Sequence, residues 1–130
     1  MQHIDVKEGV LKMGKYSTFM LNRLSSSTFL ELYLLSNMIK RNDAVYGMEI
    51  LNKINKFDIT WRPSHGTLYP VIEDMVKKGL IEFAYKVEAK KYYEITDYGR
   101  EYYNDRAKEF RKDLVEAARF YRAISTELMV

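Results

Sequence analysis

The sequence predicts a mainly α-helical fold with one small β-hairpin, followed by a long C-terminal helix. Residues 64–79 read as an amphipathic helix with a polar start, and residues 81–95 as two alternating strands. From Tyr103 to Leu128 apolar side chains recur with alternating spacings of four and three. Two further helices precede this region, so the order of elements is that of a winged helix-turn-helix with an added long helix.

Composition excludes several classes of function. The chain has 130 residues, a net charge of +3, two histidines and no cysteine. Disulfide frameworks, thiolate metal sites and cysteine nucleophiles are therefore excluded, and we expect no cofactor. The longest apolar stretch is too short to cross a bilayer, and the N-terminus lacks an apolar signal core. These observations favour a cytoplasmic protein without a membrane partner. The sequence also shows no glycine-rich phosphate loop, nucleophile elbow or metal-spaced cluster, which indicates that the protein is not an enzyme.

We expect three segments: an N-terminal extension or arm at 1–24, a winged helix-turn-helix at 25–96 and a dimerisation helix at 97–130. The first helix is predicted to start at Thr28, which forms a capping box with Glu31, and to end near Lys40. Its apolar side carries Phe29, Leu32, Leu35, Met38 and Ile39. A second helix is predicted from Val45 to Lys56, with Ile50, Leu51 and Ile54 buried.

The third helix and the hairpin follow from local signals. Ser64 is a candidate N-cap and Gly79 a C-terminal stop. Thr96 is expected to cap the last helix. Segment 86–90 holds no Gly, Asn or Pro, which predicts a loose hairpin tip. The predicted buried positions are Leu68, Ile72, Met75 and Val76 on the helix, one strand face of Ile81, Phe83 and Tyr85, and another of Tyr93 and Ile95.

The last helix carries an uninterrupted heptad seam, which predicts pairing with another helix. A second copy of the chain in a C2 dimer is the simplest partner. Packing against residues 1–24 or against the first helix is the alternative. The seam consists of Tyr103, Ala107, Phe110, Leu114, Ala117, Tyr121, Ile124 and Leu128.

The start of the third helix suits the major groove of double-stranded DNA. Ser64, His65 and Thr67 lie in its first turn, Gly66 permits close backbone approach, and free N–H groups attract phosphate. The Tyr69 hydroxyl lies one turn later, within reach of a phosphate. The predicted contacts to the DNA backbone are Arg62 and Lys77, and the hairpin lysines Lys86, Lys90 and Lys91 suit either the phosphate backbone or a minor groove.

Four motifs resemble the PadR family of transcriptional regulators. They are Tyr46-Gly47-Met48-Glu49-Ile50, Ser64-His65-Gly66-Thr67-Leu68-Tyr69-Pro70, Lys78-Gly79-Leu80-Ile81 and the segment from Lys91 to Glu101. The resemblance implies a DNA-binding dimer, strengthens the assignment of Tyr69 and adds Tyr46 as a DNA contact. The family often has Pro where His65 stands and His-Gly-Tyr where Tyr46-Gly47-Met48 stands.

The leading hypothesis is a homodimeric regulator, a repressor, that binds a short inverted repeat. The alternative is a winged-helix module that docks on another protein without binding DNA. The resemblance also implies that a small aromatic effector binds between paired helices, although simple packing explains the same side chains. The aromatic residues concerned are Tyr103, Phe110, Phe120 and Tyr121.

Overall fold

The structure is a computed structural model that describes residues 25–57 and 65–129. The predicted arm at 1–24, the Ser64 cap and Arg62 lie outside these residues. The predicted fold class, mainly α with a small antiparallel sheet and a long last helix, is confirmed. In chain order the elements are α1 (Ser26–Arg41), β1 (Val45–Tyr46), α2 (Gly47–Ile54), α3 (His65–Lys77), β2 (Ile81–Val87), β3 (Lys90–Ile95) and α4 (Asp97–Glu127).

The chain divides into two compact units at Ala107. The first unit, residues 26–107, contains α1 to α3, the sheet and the beginning of α4. Tyr102 and Tyr103 of α4 pack against the hydrophobic core of this unit. The second unit includes the remainder of α4 from Lys108 onward.

Helix α1 forms the centre of the first unit. It begins at Ser26, so Thr28 lies inside the helix and the predicted capping box is wrong. Leu30 and Leu34 are buried in addition to the predicted Leu35 and Met38, because other elements surround the helix on more than one side. The Glu31 carboxylate, which the capping box required, instead binds side chains from distant elements.

The segment after α1 forms a strand that sequence reasoning missed. Asn42 follows the helix with φ 50°, a left-handed conformation that Asn tolerates. Val45 and Tyr46 then pair antiparallel with Tyr93 and Tyr92 of β3. Helix α2 therefore begins at Gly47 and not at Val45, because β3 offers an open edge for pairing. The sheet has the order β1-β3-β2.

Helices α2 and α3 bury one face each against α1. Ile50, Leu51 and Ile54 are buried, as predicted. On α3 the buried positions include Leu68, Ile72 and Met75, also as predicted. Val76 was expected to join them and does not: its side chain is 41% exposed. The buried stripe of α3 is completed by Val71, because spacings of three and four from Leu68 give positions 71, 72 and 75.

Local signals end α3 and start α4 as predicted. Gly79 adopts φ 78°, and the Leu80 N–H donates to the Met75 carbonyl at 2.9 Å, which together make a Schellman stop. Thr96 caps α4, since its hydroxyl oxygen accepts from the Gly99 N–H at 2.9 Å. The Thr96 hydroxyl also donates to the Gly79 carbonyl at 2.6 Å, so one side chain joins the two helix ends.

The hairpin tip is tighter than the sequence predicts. Strand pairing continues to Val87 and Lys90, which leaves a two-residue loop of Glu88 and Ala89. Glu88 takes φ 57° to close this loop, a conformation usually occupied by Gly or Asn. The predicted loose tip is therefore wrong, because pairing along β2 and β3 compensates for an unfavourable turn residue.

Candidate nucleic-acid interface

Helix α3 is held against α2 by a close contact at Gly47. A Cβ atom added to Gly47 would lie 2.6 Å from the Cδ1 atom of Ile72, so only glycine fits without movement there. This contact fixes the buried face of α3 and thereby its opposite, exposed face. The exposed positions include Gly66, Tyr69, Pro70 and Glu73, and the Tyr69 side chain is 48% exposed.

The end of α3 is anchored by an interaction that sequence reasoning missed. The Lys78 ammonium lies 2.8 Å from the Asp74 carboxylate and 3.3 Å from that of Glu31. The hydrogen bond to Asp74 is the main cause that raises the pKa of Lys78 above its ordinary value, and Glu31 adds to it. Lys78 is therefore engaged with two carboxylates of the protein, although it is exposed, as the neighbouring Lys77 is.

Glu31 is a buried carboxylate that joins α1 and α4 to the residue that follows α3. Its side chain lies in α1, the residue is 8% exposed, and it accepts a hydrogen bond from the Tyr102 hydroxyl of α4 at 2.5 Å. Burial raises the pKa of the Tyr102 hydroxyl, and the hydrogen bond to Glu31 raises it further. The Arg106 guanidinium lies 3.7 Å from the centre of the Tyr102 ring. These contacts set the position of α3 relative to the start of α4.

The hairpin formed by β2 and β3, here called the wing, has a β-bulge at Ala84. Phe83 pairs with Tyr93 and the next pair is Tyr85 with Tyr92, so Ala84 has no partner. Side chains alternate between the two faces of a strand, and the extra residue in the bulge shifts that alternation by one position. Tyr85 therefore lies on the opposite face from Ile81 and Phe83, and the predicted shared face is wrong at Tyr85. Tyr93 and Ile95 do share the core face, as predicted.

The two faces of the wing differ in chemistry. The inner face packs toward the helices and carries Ile81, Phe83, Tyr93 and Ile95. The outer face carries a row of aromatic rings that crosses all three strands. The ring centres of Tyr85 and Tyr92 are 4.8 Å apart, and those of Tyr46 and Tyr92 are 5.8 Å apart.

An open groove of about 480 Å³ lies between α3 and the inner face of the wing. It is lined by Glu73 and Val76 from the helix and by Phe83, Lys91 and Tyr93 from the wing. Phe83 is 54% exposed, so the groove presents apolar surface as well as one cation and one carboxylate. The groove places Lys91 on the same side of the molecule as the exposed face of α3.

The predicted site residues that the structure describes fall into three regions. Gly66, Thr67, Tyr69 and Lys77 lie on α3, and His65 is its first residue. The wing carries Lys86, Lys90 and Lys91, all exposed. Tyr46 lies in β1, with its ring against Tyr92. The structure therefore brings α3 and Lys91 together and sets Tyr46 on the outer face of the sheet, a separation that spacing in the sequence does not reveal.

The residues of the predicted seam have unequal exposure along α4. Tyr103 packs against the core of its own unit, and Ala117 is buried. The large apolar side chains beyond Ala107 are more exposed. Those that belong to the seam are Leu114, Tyr121, Ile124 and Leu128, while Ala107 and Phe110 are half-buried.

A metal site and a membrane-spanning helix are both absent from residues 25–57 and 65–129. No group of three or more His, Asp or Glu side chains there is arranged to hold a metal ion. None of the helices in this part of the chain is long and apolar enough to span a bilayer.

Comparison with known proteins agrees with this fold. The model of the transcriptional regulator PadR-like family matches residues 34–105, more than half of the chain. A transcriptional regulator from Clostridium thermocellum is 29% identical, with 71% of this chain and 89% of that one covered and a TM-score of 0.58. None of the curated proteins matches the chain.

A PadR family transcription regulator from Clostridium difficile has the same fold. It is 23% identical, 72% of this chain and 98% of that one are covered, and the TM-score is 0.56. Residues 34–105, which the family model matches, contain α2, α3 and the wing. These elements form the candidate interface.

Proposed function

Because the chain belongs to the PadR-like family of transcriptional regulators, we propose that it binds DNA sequence-specifically as a homodimer and represses transcription from a short inverted repeat. The observation that carries the proposal is the placement of α3 beside the wing, with the exposed face of α3 and the Lys91 side chain bordering one groove. A helix and a cationic hairpin on one side match the major groove and the adjacent phosphate backbone.

In this proposal α3 enters the major groove by its N-terminal end. Gly66 is exposed and Thr67 half-buried there, and the helix dipole places partial positive charge at the same end. Tyr69, one turn later, directs its hydroxyl to a phosphate. The remaining contacts of this region are Arg62, Ser64, His65 and Lys77. Only Ser64, His65 and Thr67 are proposed to read bases, and none of these residue types reads a base pair in the bidentate manner of arginine on guanine, so we expect moderate specificity for each half-site.

Helix α4 is the proposed dimerisation element. It has 31 residues, and the exposed Leu114, Tyr121 and Ile124 lie on the predicted seam beyond the first unit. Apolar side chains repeated along an exposed helix favour a helix–helix interface. A C2 dimer would present two copies of α3 to half-sites about one helical turn, ~34 Å, apart.

Repression and effector response follow from the same arrangement. A dimer bound at an inverted repeat would block access of RNA polymerase to the promoter, which requires the protein to act in the cytoplasm. A small aromatic molecule bound between paired helices, beside Phe110 or Phe120, would change the spacing of the two reading helices and release the DNA.

One observation favours a second function. The groove between α3 and the wing exposes Val76 and Phe83, and apolar side chains of this kind also suit a protein-docking module that does not bind DNA. Among residues 25–57 and 65–129, Lys86 and Lys91 of the wing carry no ion pair. A docking module gains nothing from such lysines, whereas a DNA-binding protein does.

The experiment that separates the two functions is selection from a pool of random duplex DNA, followed by a salt titration on the selected duplex. A selected inverted repeat whose affinity falls steeply with salt supports the DNA-binding regulator. Weak, unselective or salt-insensitive binding overturns it and supports the docking module. Sedimentation of the complex tests the stoichiometry of two chains per repeat.

A further inference from the structure

The β-bulge at Ala84 determines which face of the wing each lysine occupies. Beyond the bulge, Lys86 pairs with Lys91 and Val87 pairs with Lys90. Because directly paired residues lie on the same face, Lys86 and Lys91 are neighbours, while Lys90 points the other way. Lys91 lines the groove beside α3, so Lys86 lies on that inner face as well.

Lys90 already has a partner on the outer face. Its ammonium lies 5.6 Å from the centre of the Tyr46 ring, within the range of a cation–π contact. The outer face is also acidic near the base of the wing, where Glu82 and Glu94 are directly paired. Two carboxylates on this face repel a phosphate backbone, so it is poorly suited to DNA.

The inner face has the opposite charge. Like charges directly opposite each other on two strands destabilise a sheet. Neither Lys86 nor Lys91 has a carboxylate within ion-pair distance among residues 25–57 and 65–129. The two ammonium groups of Lys86 and Lys91 repel each other in the isolated protein. Their repulsion is offset when a polyanion binds beside them.

We propose that the DNA backbone runs along the inner face of the wing, where Lys86 and Lys91 bind phosphates together, and that Lys90 does not contact DNA. This inference rests on the proposed DNA-binding function and divides the three wing lysines between two roles. The bulge at Ala84 makes the arrangement possible, since it brings Lys86 onto the face that carries Phe83 and the groove.

Three variants with the same change of charge test the proposal: Lys86→Gln, Lys91→Gln and, as the matched control in the same hairpin, Lys90→Gln. For each, the dissociation constant on the duplex selected by the wild-type protein is measured over a range of salt. We expect Lys86→Gln and Lys91→Gln each to reduce the slope of log affinity against log salt by about 0.9 per chain. Lys90→Gln should leave the slope at the wild-type value.

Thermal unfolding of the variants excludes loss of affinity through misfolding. Removal of either member of the opposed lysine pair should leave the melting temperature equal to or above that of the wild type. Equal loss of slope in all three variants, or a loss confined to Lys90→Gln, overturns the proposal while the DNA-binding function stands. A wild-type protein without salt-dependent DNA binding contradicts the proposed function itself.

Discussion

The Tyr102 hydroxyl donates to the buried Glu31 carboxylate at 2.5 Å and so links the start of α4 to α1. Glu31 also binds Lys78 just after α3, which makes this carboxylate the common partner of the start of α4 and the residue that follows α3. The arrangement of α3 relative to the start of α4 therefore depends on one side chain.

Substitution Tyr102→Phe should destabilise the protein by about 1–3 kcal/mol, because it removes a donor and leaves a buried carboxylate oxygen poorly satisfied. The ring and its packing are kept. Urea unfolding measures the loss. Tyr98→Phe is the control, since Tyr98 is exposed on the same helix. This variant should unfold at the wild-type urea concentration. Equal midpoints for Tyr102→Phe and the wild type would contradict the assigned hydrogen bond.

The free energy of unfolding should fall as the pH rises above about 10. The pKa values of Tyr102 and Lys78 are raised above their ordinary values of 10.0 and 10.5. A raised pKa means that the folded state binds the proton more tightly, so this stability is present below the ordinary pKa and is lost at higher pH. Urea unfolding at a series of pH values above about 10 measures how steeply the free energy of unfolding falls with pH.

The Tyr102→Phe variant provides the check on that pH dependence, because it lacks one of the two titrating groups. Its stability should decline less steeply with pH than that of Tyr98→Phe. A stability that increases through this pH range would show that the sign of the assigned shifts is wrong.

Substitution Gly99→Ala should destabilise the fold by up to about 3 kcal/mol through steric overlap. A Cβ atom at this position would lie near the Leu80 carbonyl oxygen and 2.8 Å from the Ile95 Cγ1 atom. Gly79→Ala is the informative comparison, because no atom lies within 4 Å of its added Cβ but its φ is 78°. The free energy of unfolding of that variant should fall by only about 1–2 kcal/mol, the cost of placing an L side chain in the left-handed conformation.

Both glycine variants are compared by thermal and urea unfolding. A larger loss for Gly79→Ala than for Gly99→Ala would contradict the close approach of α4 to the start of β2.

Substitution Glu88→Gly should stabilise the wing by about 1 kcal/mol, because glycine adopts the left-handed conformation without the cost to an L side chain. Hydrogen exchange of the amides in β2 and β3 measures the local gain. Ala89→Gly, at the neighbouring loop position, should give no gain and serves as the control. Reduced protection in Glu88→Gly would contradict the tight two-residue loop.

Much of the fold follows from signals contained within a few residues. The Gly79 stop, the Thr96 cap and the burial of Ile50, Leu51 and Ile54 were all predicted, since each depends on helical periodicity or on a cap within one turn. The Gly and Tyr motifs that carry the family resemblance are local in the same way.

Other features depend on partners distant in the sequence. Val45 and Tyr46 form a strand because β3, more than forty residues later, offers an edge, and Glu31 finds Lys78 and Tyr102 at separations of 47 and 71 residues. The expected DNA contacts Tyr46 and Lys90 turned out to lie together on the outer face of the sheet.

The sequence by itself determined the order of the helices and the hairpin, the stop of α3, the cap of α4 and the family resemblance. Only the tertiary structure decided on which face of the wing Tyr85 and the lysines lie, and that Val76 is exposed. One unpaired residue, Ala84, reverses the alternation along β2, and Val76 is exposed although it lies one position beyond buried Met75. Local patterns specify whether an element has helical or strand periodicity. Strand register and the packing of neighbouring helices decide which face of that element is buried.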